Sequence, residues 1–574
     1  MRGLPPGTLN SARRKVDALT RTGDPQDFSY SATSRQLRSY LKVLHIDGDQ
    51  LALEDLREVV FERRPVLLAP DAREKVSASR EVIEQLVREN RVAYAVTTGV
   101  GKLSDVRIAP EQIRELQLNL LRSHAVGVGS PLSELVTRAM ILLRANSLAK
   151  GFSGVRPLII DTLCEMLSRG VHPVIPSQGS VGASGDLAPL AHLALVIVGE
   201  GEAIFQGRRL AGKEAMAAAQ VKPVVLEAKE AISLINGTQA MLAIGTLSLL
   251  AAQTLVETAD ILGALTLDAL RGTTVAMDER IHRARPHSGQ LHSATNVRRL
   301  LEGSEIRQSH IDCNRVQDAY SLRCIPQVHG AVRDTLAFSR QVFDIEMNSA
   351  VDNPLVFPSP RSQREPMRPS KVPAIDDRRA RGSANDRTDL GEVLSGGNFH
   401  GEPIAFALDY LAIALSALAG ISERRIERMV NPALNEGLPP FLASGAGLNS
   451  GFMMPQVTAA ALASENKVLA HPASVDSITT SGNKEDYVSM GMAAALKLER
   501  VVANTMHVLA IEAAAVAQAI EFLAPLKTSP RLQRVHSTIR GISPAVDRDR
   551  VLADDISKLA RAISEGKLAR AAFE

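Results

Sequence analysis

A run of small residues lies where unusual backbone chemistry is possible. Residues 177–193 read SQGSVGASGDLAPLAHL, with glycines at 179, 182 and 185, Asp186 as the only carboxylate, and no Lys or Arg. The run lacks both the GxGxxG pattern of dinucleotide-binding loops and the GxxxxGK[ST] pattern of phosphate-binding loops. Taken locally, it predicts a tight connection before the helix LAPLAHLALVIV.

Ala183, Ser184 and Gly185, at the centre of this run, could instead react with one another. A glycine nitrogen is the least hindered backbone amide, and small neighbours permit backbone geometries closed to bulky residues. Attack of the Gly185 nitrogen on the Ala183 carbonyl, with loss of water, would form a five-membered ring, and dehydration of Ser184 would leave an exocyclic methylene. The product is an electrophile that none of the twenty side chains supplies, so a structural turn and a reactive group both stay open.

A second group of polar residues lies in QDAYSLR (317–323), where Gln317, Tyr320 and Arg323 are spaced at i, i+3 and i+6. On a helix this spacing places the three side chains on one face, within about 120° of arc. Arg323 is suited to bind a carboxylate through two parallel hydrogen bonds. The same residues also fit an ordinary polar surface with an ion-paired arginine.

Two more polar residues stand in apolar surroundings. Asn236 interrupts the uncharged run 231–256, and a buried amide needs partners because leaving it unpaired costs about 1–3 kcal/mol. The run is long enough to span a bilayer, but its polar cluster favours a buried helix that begins near Asn236. Asp186 directly precedes a predicted helix and fits its N-cap.

The elements that must position these residues are mostly helices. Helical patterns occupy 133–151, with Ser133 as N-cap, and the apolar or Ala-rich runs 404–420 and 485–523. A helix that is apolar on all sides is typical of a buried bundle. The strand-like runs are short and lie at 92–97, 155–160, 203–212 and 223–226. The predicted class is mainly α, a long-helix bundle with a smaller mixed α/β N-terminal part.

Composition argues against several classes of protein. The 574 residues carry 66 basic and 63 acidic side chains, a net charge of +3, which indicates no nucleic-acid or membrane partner. Aromatic residues make up only 3%, so no stacking platform for single strands is expected. Cys164, Cys313 and Cys324 suggest neither a disulfide framework nor a zinc site. These features favour a cytoplasmic protein without a metal.

Four parts are predicted along the chain. Residues 1–44 form a polar, basic, weakly ordered extension, and 45–230 form the N-terminal part with the Ala-Ser-Gly run. Residues 231–530 form the central helical bundle, and 531–574 form a C-terminal helical segment. Within the bundle, 358–390 has five prolines, thirteen charges and little apolar periodicity, which is typical of a disordered insertion.

Several separated motifs agree, in order, with one family. GSVGASGDLAPLAHLAL resembles the hallmark of the aromatic amino-acid ammonia-lyase superfamily, and the resemblance extends over roughly 45–530 through LINGTQA (234–240), VQDAYSLRC (316–324), SGGNFH (395–400), SERRI (422–426), NSGFMMPQVTAAALASENK (449–467) and HPASVDS (471–477). It implies that Ala183-Ser184-Gly185 forms a 4-methylidene-imidazol-5-one group, with no metal or diffusible cofactor. It also implies a fumarase/aspartase-like helical architecture and a homotetramer whose active sites are each assembled from three chains.

The resemblance implies roles for further residues. Tyr94 takes the place of the base that removes the β-proton, and Tyr320 that of a second reacting tyrosine; which acts at which step stays open. Asp186 takes the place of a residue that assists ring formation. Positions that bind the substrate or the prosthetic group are matched by Asn236, Gln317, Arg323 and Phe399.

Ser123 and His124, in LLRSHAVGVG, match the pair with which the family recognises the substrate ring. Serine followed by histidine is typical of the histidine ammonia-lyases, which convert L-histidine to trans-urocanate and ammonia. An imidazole needs one donor and one acceptor for its two nitrogens, and His124 with Glu465, in ASENK, could supply them. The resemblance therefore favours L-histidine as the small-molecule substrate.

Some positions depart from the family's motifs. YAVTTGVG (94–101) has Thr97 and Val100 where asparagine and phenylalanine are usual, and SGNKEDY (481–487) has Lys484 and Tyr487 where glutamine and histidine are usual. A lysine close to the site could stabilise an anion or repel an imidazolium. A tyrosine or phenylalanine ammonia-lyase, a 2,3-aminomutase of the same superfamily and a catalytically inactive helical assembly protein stay as alternatives.

Overall fold

The protein was analysed as a computed structural model that describes residues 42–312, 315–359 and 387–574. Helices dominate these residues, and the strands are short. The helices are α1 (Leu53–Phe61), α2 (Pro70–Arg88), α3 (Ile113–His124), α4 (Glu134–Ala149), α5 (Pro157–Arg169), α6 (Leu187–Ile197), α7 (Gly212–Ala218), α8 (Glu230–Ile235), α9 (Gln239–Ala269), α10 (Glu279–Arg283), α11 (Ser288–Leu300), α12 (Glu305–Gln308), α13 (Tyr320–Arg323), α14 (Ile325–Met347), α15 (Glu402–Val430), α16 (Met453–Leu469), α17 (Gly491–Glu521), α18 (Pro530–Arg540), α19 (Ala553–Ser564) and α20 (Lys567–Phe573).

The strands form four small sheets. They are β1 (Leu44–Ile46), β2 (Val66–Leu68), β3 (Val128–Pro131), β4 (His172–Pro173), β5 (Pro176–Gln178), β6 (Glu202–Phe205), β7 (Arg208–Ala211), β8 (Leu355–Pro358), β9 (Arg387–Thr388) and β10 (Gly391–Leu394). The strand orders are β1-β2, which is parallel, and β3-β5, β4-β6-β7 and β8-β10-β9, which are antiparallel. All but the last sheet belong to the N-terminal part, so the mixed α/β character is confined mostly to that region.

Three long helices, α9, α15 and α17, form the centre of the bundle. Helix α17 packs along both of the others, and α14 packs against α9 and α15. By length and composition alone these three helices could cross a membrane, yet 72%, 61% and 78% of their most apolar windows are buried within the fold. Their apolar surfaces therefore face one another, as a helix that is apolar on all sides requires.

Several expectations from the sequence agree with this fold. Helix α4 begins after Ser133, whose Oγ accepts a hydrogen bond from the Val136 nitrogen at 3.3 Å. Helix α9 begins at Gln239, directly after the polar cluster at 236–238. The run 203–212 forms most of the β6–β7 hairpin.

Other expectations about local structure were wrong. Residues 155–160 form the start of α5 rather than a strand, because Pro157 occupies the first helical turn, where it needs no hydrogen-bond acceptor. Residues 92–97 contain a turn, and 223–226 are irregular.

Two of the predicted boundaries between parts of the chain fall close to the starts of helices. The divisions at 231 and 531 fall one residue inside α8 and α18. Residues 1–41 and 360–386 lie outside the described residues, and with them most of the predicted extension and insertion. The described ends of the insertion include Pro358 in β8 and the residues of β9, which join β10 in one sheet.

A buried ion pair links two helices inside the bundle. Arg425 on α15 donates hydrogen bonds to both carboxylate oxygens of Glu512 on α17, at 2.5 and 2.8 Å. Thr266 on α9 and Ser422 on α15 donate to the same carboxylate at 2.9 and 2.5 Å. One carboxylate thus joins all three central helices.

We expect Glu512→Ala to lower the free energy of unfolding by about 3–5 kcal/mol, because it leaves the buried Arg425 guanidinium without a counterion. The matched control is Glu202→Ala, which removes an exposed pair with Arg209 and should cost at most about 1 kcal/mol. Urea denaturation followed by circular dichroism measures both. Equal losses in the two variants would contradict the role assigned to Glu512.

Candidate active site

The Ala-Ser-Gly run forms a loop where the three central helices begin. The carbonyl of Gly182 accepts hydrogen bonds from the Gly401 nitrogen at 3.4 Å, just before α15, and from Ser489 Oγ at 3.0 Å, just before α17. The Met490 nitrogen, also at the start of α17, donates to the Val181 carbonyl at 2.9 Å. Helix N-termini carry partial positive charge, so their convergence favours negative charge that develops in this loop.

Gly185 is pressed against Gly237, which precedes α9. Gly185 has φ +72°, and a Cβ built on it would lie 2.2 Å from the Gly237 carbonyl oxygen. The same oxygen accepts a hydrogen bond from the Asp186 nitrogen at 2.7 Å. Any residue larger than glycine at 185 therefore meets both backbone strain and a steric clash.

Ser184 is held at both of its oxygens. Its Oγ donates to Glu485 Oε1 at 2.6 Å, and its carbonyl oxygen accepts from Asn236 Nδ2 at 2.7 Å. Thr480 Oγ1 fixes the other oxygen of Glu485 at 2.7 Å. Sequence reasoning missed Glu485, although it lies in SGNKEDY between the two residues that depart from the family's motif, and no local signal marked it out.

Asn236 was predicted either to cap a helix end or to bind the prosthetic group. It is the C-terminal cap residue of α8, and its side chain is also directed at Ser184. Its Oδ1 is buried and has no hydrogen-bond partner among the described residues, and the same is true of Gln239 Oε1 nearby in sequence. Two unpaired buried acceptors are costly in a finished fold, so the neighbourhood fits a bound group that carries hydrogen-bond donors.

Asp186 caps a different helix from the expected one. It makes no capping bond to α6. Its Oδ2 instead accepts from the backbone nitrogens of Ala240 and Met241 in the first turn of α9, both at 2.9 Å, while Oδ1 accepts from Ser180 Oγ at 2.9 Å. Complete burial raises the pKa of Asp186 to about 6, against the opposing effect of these hydrogen bonds.

Tyr94 lies in a turn at 94–97. Its hydroxyl accepts a hydrogen bond from the Gly101 nitrogen at 3.2 Å. A short 3₁₀-helix at Gly101–Leu103 contacts another at Ser481–Asn483, which directly precedes Glu485. One chain thus places the loop of Tyr94 beside the segment that contacts Ser184.

Ser123 and His124 end helix α3 and bond to their own helix. His124 Nδ1 and Ser123 Oγ both pair with the Leu120 carbonyl, at 2.8 and 3.2 Å. Phe399 is half-buried and stands two residues before Gly401, whose nitrogen bonds to the Ala-Ser-Gly loop. Phe399 is therefore close in sequence to a contact of this loop, and β3, which follows Ser123 and His124, pairs with β5, which precedes the loop.

Gln317, Tyr320 and Arg323 do not share a helix as predicted. Helix α13 begins only at Tyr320, and Gln317 lies in irregular chain. The side chain of Asp318 explains this, because it accepts from the Thr273 nitrogen at 2.7 Å and from Arg315 at 3.0 Å, which holds the backbone away from the helix.

Exposed Tyr320 and half-buried Arg323 form a pair far from Ser184. Tyr320 is 71% exposed, and the Arg323 guanidinium lies 4.5 Å from the centre of its ring. Asp318 ties this segment to the chain just beyond the C-terminal end of α9, whereas Ser184 lies at the N-terminal end. Helix α9 has 31 residues, which span about 45 Å. A single chain therefore does not bring Arg323 to Ser184.

Comparison with known proteins identifies the family to which this chain is similar. The sequence profile described as "Aromatic amino acid lyase" matches residues 51–541. The chain belongs to the aromatic amino acid lyase family. A histidine ammonia-lyase from Koribacter versatilis (strain Ellin345) is 68% identical over 532 residues, which cover 93% of this chain and 100% of the relative. The predicted superfamily is confirmed, and the chain is a carbon–nitrogen lyase.

Solved structures of the family share the fold. The histidine ammonia-lyase from Trypanosoma cruzi has a TM-score of 0.80 at 38% identity and covers 92% of this chain and 95% of its own. The tyrosine aminomutase from Streptomyces globisporus has a TM-score of 0.82 at 38% identity, with 92% and 98% covered. The predicted mainly helical class is confirmed, while the fold alone does not distinguish these two activities.

Glu465 does not meet His124 in this aromatic amino acid lyase chain. It lies on α16, where one oxygen pairs with Arg500 and the other accepts from Asn504 Nδ2 at 2.8 Å. Its predicted role as a partner of the substrate ring therefore finds no support within one chain. Glu485, at Ser184, is the acidic residue that the loop geometry favours.

The four residues that differ from the family's motifs each have a different environment in the structure. Thr97 is buried and closes its own loop through bonds to the Arg91 carbonyl and the Ala93 nitrogen, at 2.7 and 3.0 Å. Val100 is half-buried before the 3₁₀-helix at 101–103. Lys484 is exposed, and Tyr487 stacks on His400 with ring centres 6.0 Å apart. Thr97 thus has a structural role.

No metal centre competes with this site in the described parts of the chain. Within residues 42–312, 315–359 and 387–574, no group of three or more His, Cys, Asp or Glu side chains is placed to hold a metal ion.

Gly185→Ala should lower the free energy of unfolding, measured by urea denaturation, by more than about 2 kcal/mol. The backbone strain and the steric clash at residue 185 add to each other. Gly207→Ala is the matched control: its φ is +77° but nothing lies within 4 Å of the added Cβ. That variant should cost about 1 kcal/mol. If both variants lost the same amount, the contact with Gly237 would have no energetic importance.

The raised pKa of Asp186 predicts a pH dependence of stability. The folded-state pKa, about 6, lies above the unfolded value of about 3.9. The stabilising contribution of the protonated group is thus complete below about pH 4 and is lost as the pH rises through about 6, by about 3 kcal/mol. Asp186→Asn should lack this loss, so its stability relative to the parent should rise between pH 4 and pH 7 in denaturant titrations. A constant difference across that range would refute the assignment.

Proposed function

We propose that the protein eliminates ammonia from L-histidine to give trans-urocanate, using a methylidene-imidazolone electrophile formed from Ala183-Ser184-Gly185. The observation that carries the proposal is the clamp on Ser184, with Asn236 at its carbonyl and Glu485 at its hydroxyl. The 68% identity to a histidine ammonia-lyase over nearly the whole chain supports the substrate.

The reaction needs such a group for a chemical reason. An α-ammonium leaves poorly and a β-proton is barely acidic, so the substrate must be activated by an electrophile while a positioned base takes the proton. The methylidene-imidazolone supplies that electrophile when it has formed. The loop fits it: Gly185 has the left-handed backbone and close packing that ring closure requires, and Asn236 Nδ2 donates to the carbonyl that would belong to the ring.

The chain's own residues would then bind and orient the amino acid. Arg323 is suited to hold the carboxylate and Gln317 to assist it. Tyr94 takes the base position. Tyr320 would act as the second tyrosine, with Phe399 covering the substrate ring.

Glu485 becomes available during maturation. Its Oε1 accepts from Ser184 Oγ in the unreacted loop at 2.6 Å, and dehydration removes that hydroxyl. The carboxylate oxygen then lacks a donor, which an imidazole N–H or an ammonium group can supply. Ser123 and His124 would provide the complementary partner for the other imidazole nitrogen.

The separation of about 45 Å along α9 supports an assembly in which sites are shared between chains. We propose the homotetramer that the family resemblance implies, with Arg323 of one copy facing Ser184 of another. Both described cysteines are unpaired: Cys164, whose pKa burial raises to about 12, and Cys324. Free thiols fit the cytoplasm, and no metal or diffusible cofactor enters this proposal.

A 2,3-aminomutase is the second candidate. The observation that favours it is the similarity to the structure of tyrosine aminomutase. The chain is 38% identical in sequence to that protein, as it is to the histidine ammonia-lyase of known structure. The Ser123-His124 pair favours histidine instead. A panel of L-histidine, L-tyrosine and L-phenylalanine separates the candidates, with ultraviolet detection of unsaturated acids and chromatography for β-amino acids.

Ser184→Ala should abolish urocanate formation, by at least about a thousandfold, because the exocyclic methylene cannot form. Intact mass should show the parent chain lighter than its sequence by two waters, about 36 Da, and the variant without that loss. Ser177→Ala, on β5 in the same run, is the control and should keep both properties. Urocanate production by Ser184→Ala at the parent rate, or β-amino acid as the main product of the parent, would overturn the proposal.

A further inference from the structure

A fully buried cation lies directly behind the turn that contacts Ser184. Arg144, on α4, is completely inaccessible to solvent. Its Nη1 donates to the Asn236 carbonyl at 2.7 Å, and its Nη2 donates to Ser147 Oγ at 3.2 Å. Burial lowers the pKa of Arg144 to about 10.

Arg144 makes no direct ion pair in the part of the chain that the structure describes, and the charge of Asp352 acts on it only from a distance. The carboxylate of Asp352 is bonded to Lys229 and Ser153, at 3.2 and 3.0 Å. The Arg144 Nε is buried and unpaired. A buried charge without a directly bonded counterion is costly, and such departures from optimal packing concentrate at functional sites.

The turn that Arg144 holds contacts the reacting loop twice. Asn236 Nδ2 donates to the Ser184 carbonyl, and the Gly237 carbonyl accepts from the Asp186 nitrogen. Arg144 also lies close to Gly237, because a Cβ at 237 would lie 2.8 Å from Nη1. Among the described residues, no other side chain donates to the Asn236 carbonyl.

We propose that Arg144 is a positioning residue for ring closure in Ala183-Ser184-Gly185, acting by fixing the Asn236-Gly237 turn against which the reacting backbone is pressed. This role rests on the function proposed above. Arg144 would act while the electrophile forms, whereas the residues proposed to bind the substrate would act after it has formed.

Ring closure releases two waters, and the second release explains the need for Asn236. In the first, the Gly185 nitrogen bonds to the Ala183 carbonyl carbon, and the Ala183 oxygen leaves with the amide hydrogens of Gly185 and Ser184, which leaves a C=N bond. In the second, Ser184 loses its hydroxyl and its Cα proton, which leaves a Cα=Cβ bond. Loss of that proton gathers charge on the Ser184 carbonyl oxygen, the atom that Asn236 Nδ2 contacts.

Arg138 provides a matched control on the same helix. It is also buried, its pKa is also lowered to about 10, and it makes no ion pair within the described residues. Its hydrogen bonds hold the Val59, Val60 and Leu167 carbonyls, which lie away from the loop. Replacing either arginine by lysine keeps the charge but loses the forked donor geometry.

The experiment follows ring closure by intact mass in soluble protein harvested at successive times after induction. We expect the parent and Arg138→Lys to lose about 36 Da with the same time course. Arg144→Lys should close its ring at least about tenfold more slowly, as expected when reacting groups are misplaced by a fraction of an ångström. The kcat divided by the fraction of closed rings should stay within about twofold of the parent, which general destabilisation would not produce.

Two further variants keep the test decisive if Arg144→Lys is insoluble. Ser147→Ala removes the acceptor of Arg144 Nη2, together with the bond from Ser147 Oγ to the Ser349 carbonyl, and should slow closure by about two- to threefold. In an Asn236→Ala background, Ser147→Ala should add no further slowing, because Arg144 acts through Asn236.

Closure at the parent rate in Arg144→Lys, or equal slowing in Arg138→Lys, overturns the role of Arg144 and leaves the proposed function intact. If Arg144→Lys is insoluble, closure at the parent rate in Ser147→Ala overturns it in the same way. A parent protein that never loses two waters overturns both proposals.

Discussion

The contact between two glycines, Gly185 and Gly237, is the constraint on which the site depends. It brings two backbones within a distance that no side chain permits, so the Ala-Ser-Gly loop is held by main-chain atoms. The helix that follows Gly237 begins there, and Asp186 completes its first turn. The loop, the start of α9 and the buried carboxylate therefore form one unit, and moving any of them moves the others.

This unit lies where the long helices α9, α15 and α17 start. Their N-terminal partial charges converge on the loop, and the pairing of Arg425 with Glu512 holds two of them together deeper in the bundle. The bundle thus has two functions: it buries apolar surface, and it fixes the direction of an electric field at Ser184. Fixed dipoles of this kind need no rearrangement as charge develops.

Local signals in the sequence predicted the elements better than the contacts between them. The Ser133 cap and the start of α9 after a polar cluster were both readable, because each depends on neighbouring residues. The segment 155–160 was misassigned because its β-branched residues outweighed Pro157. Asp186 was assigned to the wrong helix and Glu485 was missed, since both depend on contacts between residues more than 50 positions apart.

The length of α9 has a consequence for the life of the protein in the cell. Under the proposed function, a newly made chain holds the residues that build the electrophile at one end of α9, while the arginine proposed to bind the carboxylate lies at the other end, about 45 Å away. In the assembly proposed above, a chain that has not met its partners carries a reactive group with no substrate site around it. Two differently inactivated chains, one defective at each end, would complement each other when mixed, so the unit on which selection acts is the assembled set of chains.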